Sequence, residues 1–341
     1  MIFFDVTKTG PAGHRSGLTR VSRRLREELG AAAREVRWPE WTGESVHGED
    51  WFVTTEIFSL EERAGFQELL ARRPCRFAAV FHDAIPLKHP HITWPQSVAR
   101  HPAYMKMLAR FDRIWAVSEA SRRELLDFWR WQGIENPPPV ETLALGADFS
   151  AVPRVSEEVV PRARSLLCLG IIEPRKNQEF LLDVAEDLWR DGLVFELHIV
   201  GRINPHFGVP IAKRIKRLQR KVSRLHLHGA AGDATVMELY RSVRAVAFPT
   251  IAEGCGLPLL EALWMGVPCV CSDLPVLREN AGGGGCFAVA AKDPVAWKEA
   301  LRRVLNEDSW WAQLAGEARR RELPTWRGAA DKLRRELEDI S

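Results

Sequence analysis

The sequence has no CxxC pair among its six cysteines (75, 168, 255, 269, 271, 286), no G-x-G-x-x-G and no internal repeat. The missing CxxC excludes a zinc ribbon or a thioredoxin-type dithiol. Cys168 in SLLCLG and Cys269 in PCVCSD lie inside apolar runs, as buried free thiols of a reducing compartment do. No apolar run has the length that a bilayer span needs. The start, MIFFDV, turns acidic at Asp5, and the expectation is that it is no secretory leader. Charge of one sign is also scarce: 48 basic residues nearly balance 45 acidic ones, a net of +3, which argues against a dedicated nucleic-acid binder. A cytoplasmic location is therefore expected.

What is present is the composition of a soluble globular protein, 46% hydrophobic and 27% charged, over 341 residues, a length that suits two domains. Short apolar runs alternate with helical patterns along the whole chain. Strands are predicted at IFFDV, WFVTT, FAAVFHD, RIWAVS and VETLALG, then at SLLCLG, VFELHIVG, RLHLHG, AVAFPT, VPCVCSD and CFAVA. Helices are predicted between them, among others from Ser16 to Leu29, Ser118 to Trp131, Gln178 to Trp189 and Pro294 to Leu305. Continuous apolar strands alternating with amphipathic helices define an α/β protein with parallel sheets covered on both faces. The alternation pauses at Asp148 to Arg164, which has two prolines and mixed charge. The expected organisation is two doubly wound, Rossmann-like domains facing a cleft: residues 1–150, a linker at 151–164, then residues 165–322. The tract GGGG at 282–285 suits a loop before the next strand.

Ligands of such sheets bind beyond the carboxyl ends of the strands, so the residues after each strand are the candidates. After the first strand, Ser16-Gly17 opens a helix; Gly17 reads either as an ordinary turn residue or as one that lets backbone N–H groups approach an anion. His82-Asp83 ends the third strand, and His82 either polarises a substrate or caps the following turn. Ser118 is a natural N-cap, while Glu119 has both a structural and a ligand-binding reading.

The second half is more specific. Glu173-Pro174-Arg175-Lys176 places two cations at the mouth of a helix, where the dipole disfavours them and an anionic ligand would remove the conflict. After AVAFPT comes EGCGLPLLE. Gly254 and Gly256 allow close backbone approach, and Pro258 fits a first helical turn. The N–H groups of Gly256 and Leu257 then form an anion site. With Glu253 before that site and Glu261 beyond it, the spacing suits a nucleotide sugar, with Glu253 near the sugar, Glu261 near the ribose and the diphosphate between them.

These residues carry a resemblance. EGCGLPLLE followed by ALWMGVPCVCSD is similar to the signature of retaining glycosyltransferases of family 4, the group 1 glycosyltransferases with the GT-B fold. GIIEPRKNQEFLLDV resembles that family's basic motif, and VSEASRREL and FHDAIPLKHP resemble segments of its sugar-transferring members. The resemblance implies that Glu253 contacts hydroxyls of the transferred sugar and Glu261 the ribose. It implies that Arg175 and Lys176 neutralise the departing diphosphate, that Gly17 borders the phosphates and that His82 touches the sugar. It also implies a retaining, front-face reaction with no side-chain nucleophile and no metal, and no Asp-x-Asp pair occurs in the sequence. The implied partners are a nucleotide diphosphate-sugar donor and a glycan or lipid-linked acceptor in cell-surface polysaccharide synthesis. FHDAIPLKHP further resembles mannosyl transferring members with a guanosine donor.

Two positions depart from the family pattern: Ile172 stands where many members have an Arg, and Ser16-Gly17 where many have a glycine pair. They motivate an alternative, a non-catalytic sugar-nucleotide or glycan-binding subunit that scaffolds a partner enzyme. A GT-B enzyme of another reaction ranks last, because no lysine–cofactor signature is present. The basic stretch 210–224 has Ile211, Ile215, Leu218 and Val222 on one stripe. It reads as an ordinary packed helix with a solvated face, or as a face lying on anionic lipid at the inner membrane surface. Residues 323–341 resemble the family's closing helix, which returns to the first domain with Trp326 packing it down.

Overall fold

The computed structural model describes residues 1–12, 16–149, 153–155 and 162–339. It divides into two compact units, one made of Met1–Gly146 with Pro324–Ser341 and the other of Ala147–Leu323. Each is a parallel six-stranded sheet covered by helices. Of the segment 151–164 only residues 153–155 and 162–164 are described, so the linker expected there lies largely outside the described residues.

The first unit contains β1 (Ile2–Asp5), β2 (Ala33–Val36), β3 (Trp51–Thr54), β4 (Arg76–Phe81), β5 (Arg113–Ala116) and β6 (Val140–Thr142), in the order β2-β1-β3-β4-β5-β6. Continuous apolar runs such as RFAAVF are buried nearly throughout because helices cover both faces. β2 was not among the predicted strands. Its sequence AREV buries only Ala33 and Val36, leaving Arg34 and Glu35 exposed, as an edge strand allows. An aromatic cluster of Phe52, Phe58, Phe66 and Phe77 anchors the core. Each such buried side chain contributes about 1.5–3 kcal/mol.

The helix Trp326–Glu338 completes this unit. Thr325 caps it by accepting from Gly328 N. Trp326 is buried against Gly146, where a Cβ would lie 2.3 Å from Trp326 N, so no larger residue fits. The indole of Trp51 donates to Leu337 O at 3.1 Å and that of Trp115 to Glu336 at 2.6 Å.

The second unit contains β7 (Ser165–Leu169), β8 (Glu196–Val200), β9 (Leu225–Leu227), β10 (Ala245–Phe248), β11 (Cys269–Ser272) and β12 (Cys286–Val289), in the order β12-β11-β10-β7-β8-β9. All pairings in both sheets are parallel. The strand order reverses once in each sheet, between β1 and β3 in the first unit and between β7 and β10 in the second. Beyond the carboxyl ends at such a reversal the loops diverge and leave room for a ligand.

The basic stretch expected at 210–224 is helical over Gly208–Gln219. Ile211, Ile215 and Leu218 belong to the core of the second unit, and Val222 packs on it from the turn that follows. Val222 and Ser223 are poor helix formers, and β9 starts at Leu225, so the helix stops earlier than the charge pattern does.

Candidate functional site

In the second unit the loops after β7 and β10 lie side by side at the reversal of strand order. The β7 loop passes through Gly170 to the short 3-10 turn Pro174–Lys176 and then the helix Gln178–Arg190. The β10 loop runs through Thr250 and Glu253 to the helix Leu257–Trp264. Two hydrogen bonds tie them together: Ile251 N donates to Arg175 O at 2.9 Å, and the side-chain Nδ2 of Asn177 donates to Pro249 O at 3.1 Å.

Four charged side chains meet there. Lys176 Nζ is ion-paired with Glu253 Oε1, and Thr250 Oγ1 lies 2.7 Å from the same oxygen. Arg175 Nη1 is 3.4 Å from Glu253 Oε2 and 3.0 Å from Ala252 O, while its Nε donates to Glu173 Oε1 at 3.0 Å. The Asn204 amide holds the other oxygen of Glu173 at 2.9 Å. Gly170 lets the Lys176 stem pass, since a Cβ there would stand 3.1 Å from Lys176 Cε. The ammonium also lies 5.1 Å from the centre of the Phe248 ring.

Burial raises the affinity of Glu253 for a proton, but the charges of Lys176 and Arg175 outweigh it and hold this carboxyl below its usual range. Burial lowers the pKa of Lys176 despite the opposing pull of Glu253. The result is a neutral set of two cations and two carboxylates in which Lys176 is only 8% exposed.

Gly256 caps the helix Leu257–Trp264 with φ 86°, has no side chain to satisfy the first N–H groups, and precedes a first turn without an acid. Glu261 is buried in the second turn and accepts from the Tyr240 hydroxyl at 3.1 Å. Sequence reasoning gave no site role to Tyr240, Thr250, Glu173 or Asn204. Glu173 was visible in the EPRK motif, but the others depend on strand and helix neighbours that no local pattern encodes.

In the first unit Ser16 and Thr19 form a capping box at the start of the helix Gly17–Leu29, so Gly17 is the first helical residue. His82 is buried, with Nε2 2.8 Å from Thr55 O, and burial lowers its pKa against the weaker opposing influence of Thr55 and Asp83. Ser121 Oγ donates to His82 O at 2.7 Å. Ser118 Oγ accepts from Ser121 N at 3.0 Å, capping the helix Glu119–Trp131. Glu119 accepts from Arg123 Nε at 3.0 Å. Among the described residues, no group of three His, Cys, Asp or Glu is placed to hold a metal ion, and no helix is long and apolar enough to cross a membrane.

Two doubly wound sheets of this topology, with paired loops at each reversal, make the GT-B fold. Sucrose-phosphate synthase from Thermosynechococcus elongatus matches it with a TM-score of 0.77 at 17% identity, covering 100% of this chain and 99% of that one. Anabaena HepE, solved with UDP and glucose, matches with a TM-score of 0.70 at 13% identity, covering 99% of each. Residues 163–307 match the model of the family described as Glycosyl transferases group 1. That segment holds all six strands of the second unit. The chain is also similar to the serotype-specific mannosyltransferase WbdA of Escherichia coli, 30% identical over 217 residues, 59% of this chain. It spans only 26% of the length of that relative.

Proposed function

We propose that the chain is a retaining glycosyltransferase that moves a sugar, mannose, from a nucleotide diphosphate donor to a glycan or lipid-linked acceptor in cell-surface polysaccharide synthesis. The single observation that carries this reading is the pairing of Lys176 and Arg175 with Glu253 beside the open helix start at Gly256. The mannosyl donor rests on the similarity to WbdA, and the guanosine base on the resemblance of FHDAIPLKHP.

In this reading the second unit holds the donor. The N–H groups of Gly256 and Leu257 and the cations of Arg175 and Lys176 take the diphosphate, stabilising the charge that grows as it leaves. A diphosphate also brings negative charge to Lys176, offsetting the effect of burial and keeping the ammonium protonated. Glu253, freed from part of its cation pairing, accepts hydrogen bonds from sugar hydroxyls. Glu261, oriented by Tyr240, accepts from the ribose. No divalent ion is invoked, and no side chain attacks the sugar: the departing phosphate oxygen takes the proton of the acceptor on the same face. The first unit binds the acceptor, with Gly17, His82 and Ser118 at its strand ends.

The test is transfer and donor hydrolysis across a panel of nucleotide sugars with wild-type protein, Glu253→Gln and Lys176→Ala. We expect turnover with a guanosine diphosphate mannose donor and a loss of about 100-fold or more in each variant, as for removal of a charge-stabilising donor elsewhere. Equal rates in all three proteins would overturn the assignment.

Between Gly201 and Gly232 the sequence has eight Lys or Arg and no Asp or Glu. Arg214 is paired with Glu186, while Lys213, Lys216, Arg217, Arg220 and Lys221 stay exposed. We propose that this face rests on anionic lipid, each such cation contributing about 1 kcal/mol near the surface. Sedimentation with phosphatidylglycerol vesicles but not with phosphatidylcholine vesicles is expected, and Lys213→Glu with Lys216→Glu should abolish it.

A further inference from the structure

The reversal of strand order in the first unit lies between β1 and β3, and the loop that leaves β1 there is held by a buried charge network that the proposed reaction does not use. Lys8 N donates to both oxygens of Glu56, at 2.7 and 2.9 Å. Thr9 donates to Glu56 Oε1 twice, from its N at 2.8 Å and from its Oγ1 at 2.9 Å. Asp5 takes the other half of the loop: Thr7 N at 3.1 Å and Thr7 Oγ1 at 2.6 Å both reach its Oδ1. One guanidinium joins the two carboxylates, with Arg63 Nη1 2.7 Å from Asp5 Oδ2 and Arg63 Nη2 2.6 Å from Glu56 Oε2. Arg63 itself is fixed over the Phe58 ring, 3.5 Å from its centre. Asp5, Glu56 and Arg63 are all at most 2% exposed.

This is a costly way to hold a loop. Burying charge is tolerated only with close to complete pairing, and here two carboxylates share one cation, so the remaining negative charge is held by hydrogen bonds from the loop. What the carboxylate adds is directional hold on successive N–H groups by charge-assisted bonds, which fixes backbone direction more tightly than neutral ones do. Those N–H groups belong to the loop at the place where a doubly wound sheet binds its ligand. Thr55, between β3 and Glu56, adds a buried hydroxyl with no hydrogen-bond partner in the structure, and its carbonyl faces His82 Nε2.

We propose that Glu56, clamped by Arg63, is a positioning residue that sets the backbone of Thr7–Gly10 for binding of a hydroxyl-rich acceptor glycan by the first unit. This rests on the reading that the first unit takes the acceptor. Glu56 acts through the loop and does not touch the sugar.

The test compares wild type with Glu56→Gln by amide hydrogen exchange at Lys8 and Thr9 and by NMR titration with a manno-oligosaccharide. We expect exchange at both amides to rise tenfold or more, and the dissociation constant for the oligosaccharide to rise about tenfold. In transfer assays the acceptor KM should rise with it, while kcat and the donor KM stay within twofold. Thr9→Val leaves the Glu56–Arg63 pair intact and should shift binding in the same direction by less, which keeps the test decisive if Glu56→Gln does not fold. Unchanged exchange would overturn the proposed hold on the loop. Faster exchange with oligosaccharide binding no weaker than that of wild type would leave Glu56 as a structural staple and overturn the positioning role. Donor-induced thermal shifts measured on the same samples report separately on the second unit and on the transferase reading.

Discussion

Lys176 and Glu253 lie 77 residues apart in sequence and meet as a buried ion pair because β7 and β10 are neighbours in the second sheet. Removing one member of a buried pair typically costs about 3–5 kcal/mol, because the other charge is left without compensation. The two single variants should differ. Lys176→Met leaves Glu253 with Arg175, whereas Glu253→Gln leaves two cations facing each other. Urea denaturation should therefore show Glu253→Gln as the costlier change. The double variant should be more stable than the sum of the singles predicts. It should still lack transfer activity, which separates the stabilising role of the pair from its proposed chemistry.

Gly256→Ala places a side chain on a backbone with φ 86°, in the left-handed region that costs about 1–2 kcal/mol for an L-residue. The new Cβ would also stand 2.6 Å from Leu277 Cδ2. A lower urea midpoint together with weaker nucleotide diphosphate binding is expected. A variant as stable as wild type with unchanged binding would show that the open helix start is not where the diphosphate lies.

His198 gives a pH dependence that has nothing to do with catalysis. Its Nδ1 is 3.0 Å from His228 Nε2, its ring is stacked on His226 at 4.7 Å, and Glu196 holds His226 at 2.6 Å. Burial first, then the neighbouring His226 and His228, lower its pKa from 6.5 to about 4. The unfolded chain takes up this proton before the folded one does. The stabilising contribution is thus complete above about pH 6.5 and is lost as pH falls towards about 4. Between those values the urea midpoint of wild type should fall more steeply than that of His198→Gln. Parallel curves would refute the assignment.

Much of this architecture is legible in particular residues. Each strand except β2 lies within an apolar run of the sequence, and β2 escapes because Arg34 and Glu35 face solvent at a sheet edge. EGCGLPLLE announces a helix start with an unusual backbone, and Gly256 has it. The contact of Lys176 with Glu253 was not legible, since it follows from which strands are adjacent and neither local stretch specifies that. The same holds for Tyr240 against Glu261. Arg63 lies in the polar stretch LEERAG, which has the composition of a solvated turn, yet its guanidinium is among the most buried groups of the first unit. Composition reports the average environment of a stretch, and a single inward-turned arginine is invisible to it.

The helix Trp326–Glu338 gives the first unit an order of completion that differs from its order of synthesis. Residues 1–146 leave the ribosome before the second unit does, but the indoles of Trp51 and Trp115 wait for acceptors on Leu337 and Glu336. Residues 147–323 emerge in between and contain every strand of the second sheet. Of these two units, the one whose strands emerge earlier is therefore completed later, and a nascent chain shortened before Trp326 would lack a wall of that earlier unit while the later one was already whole.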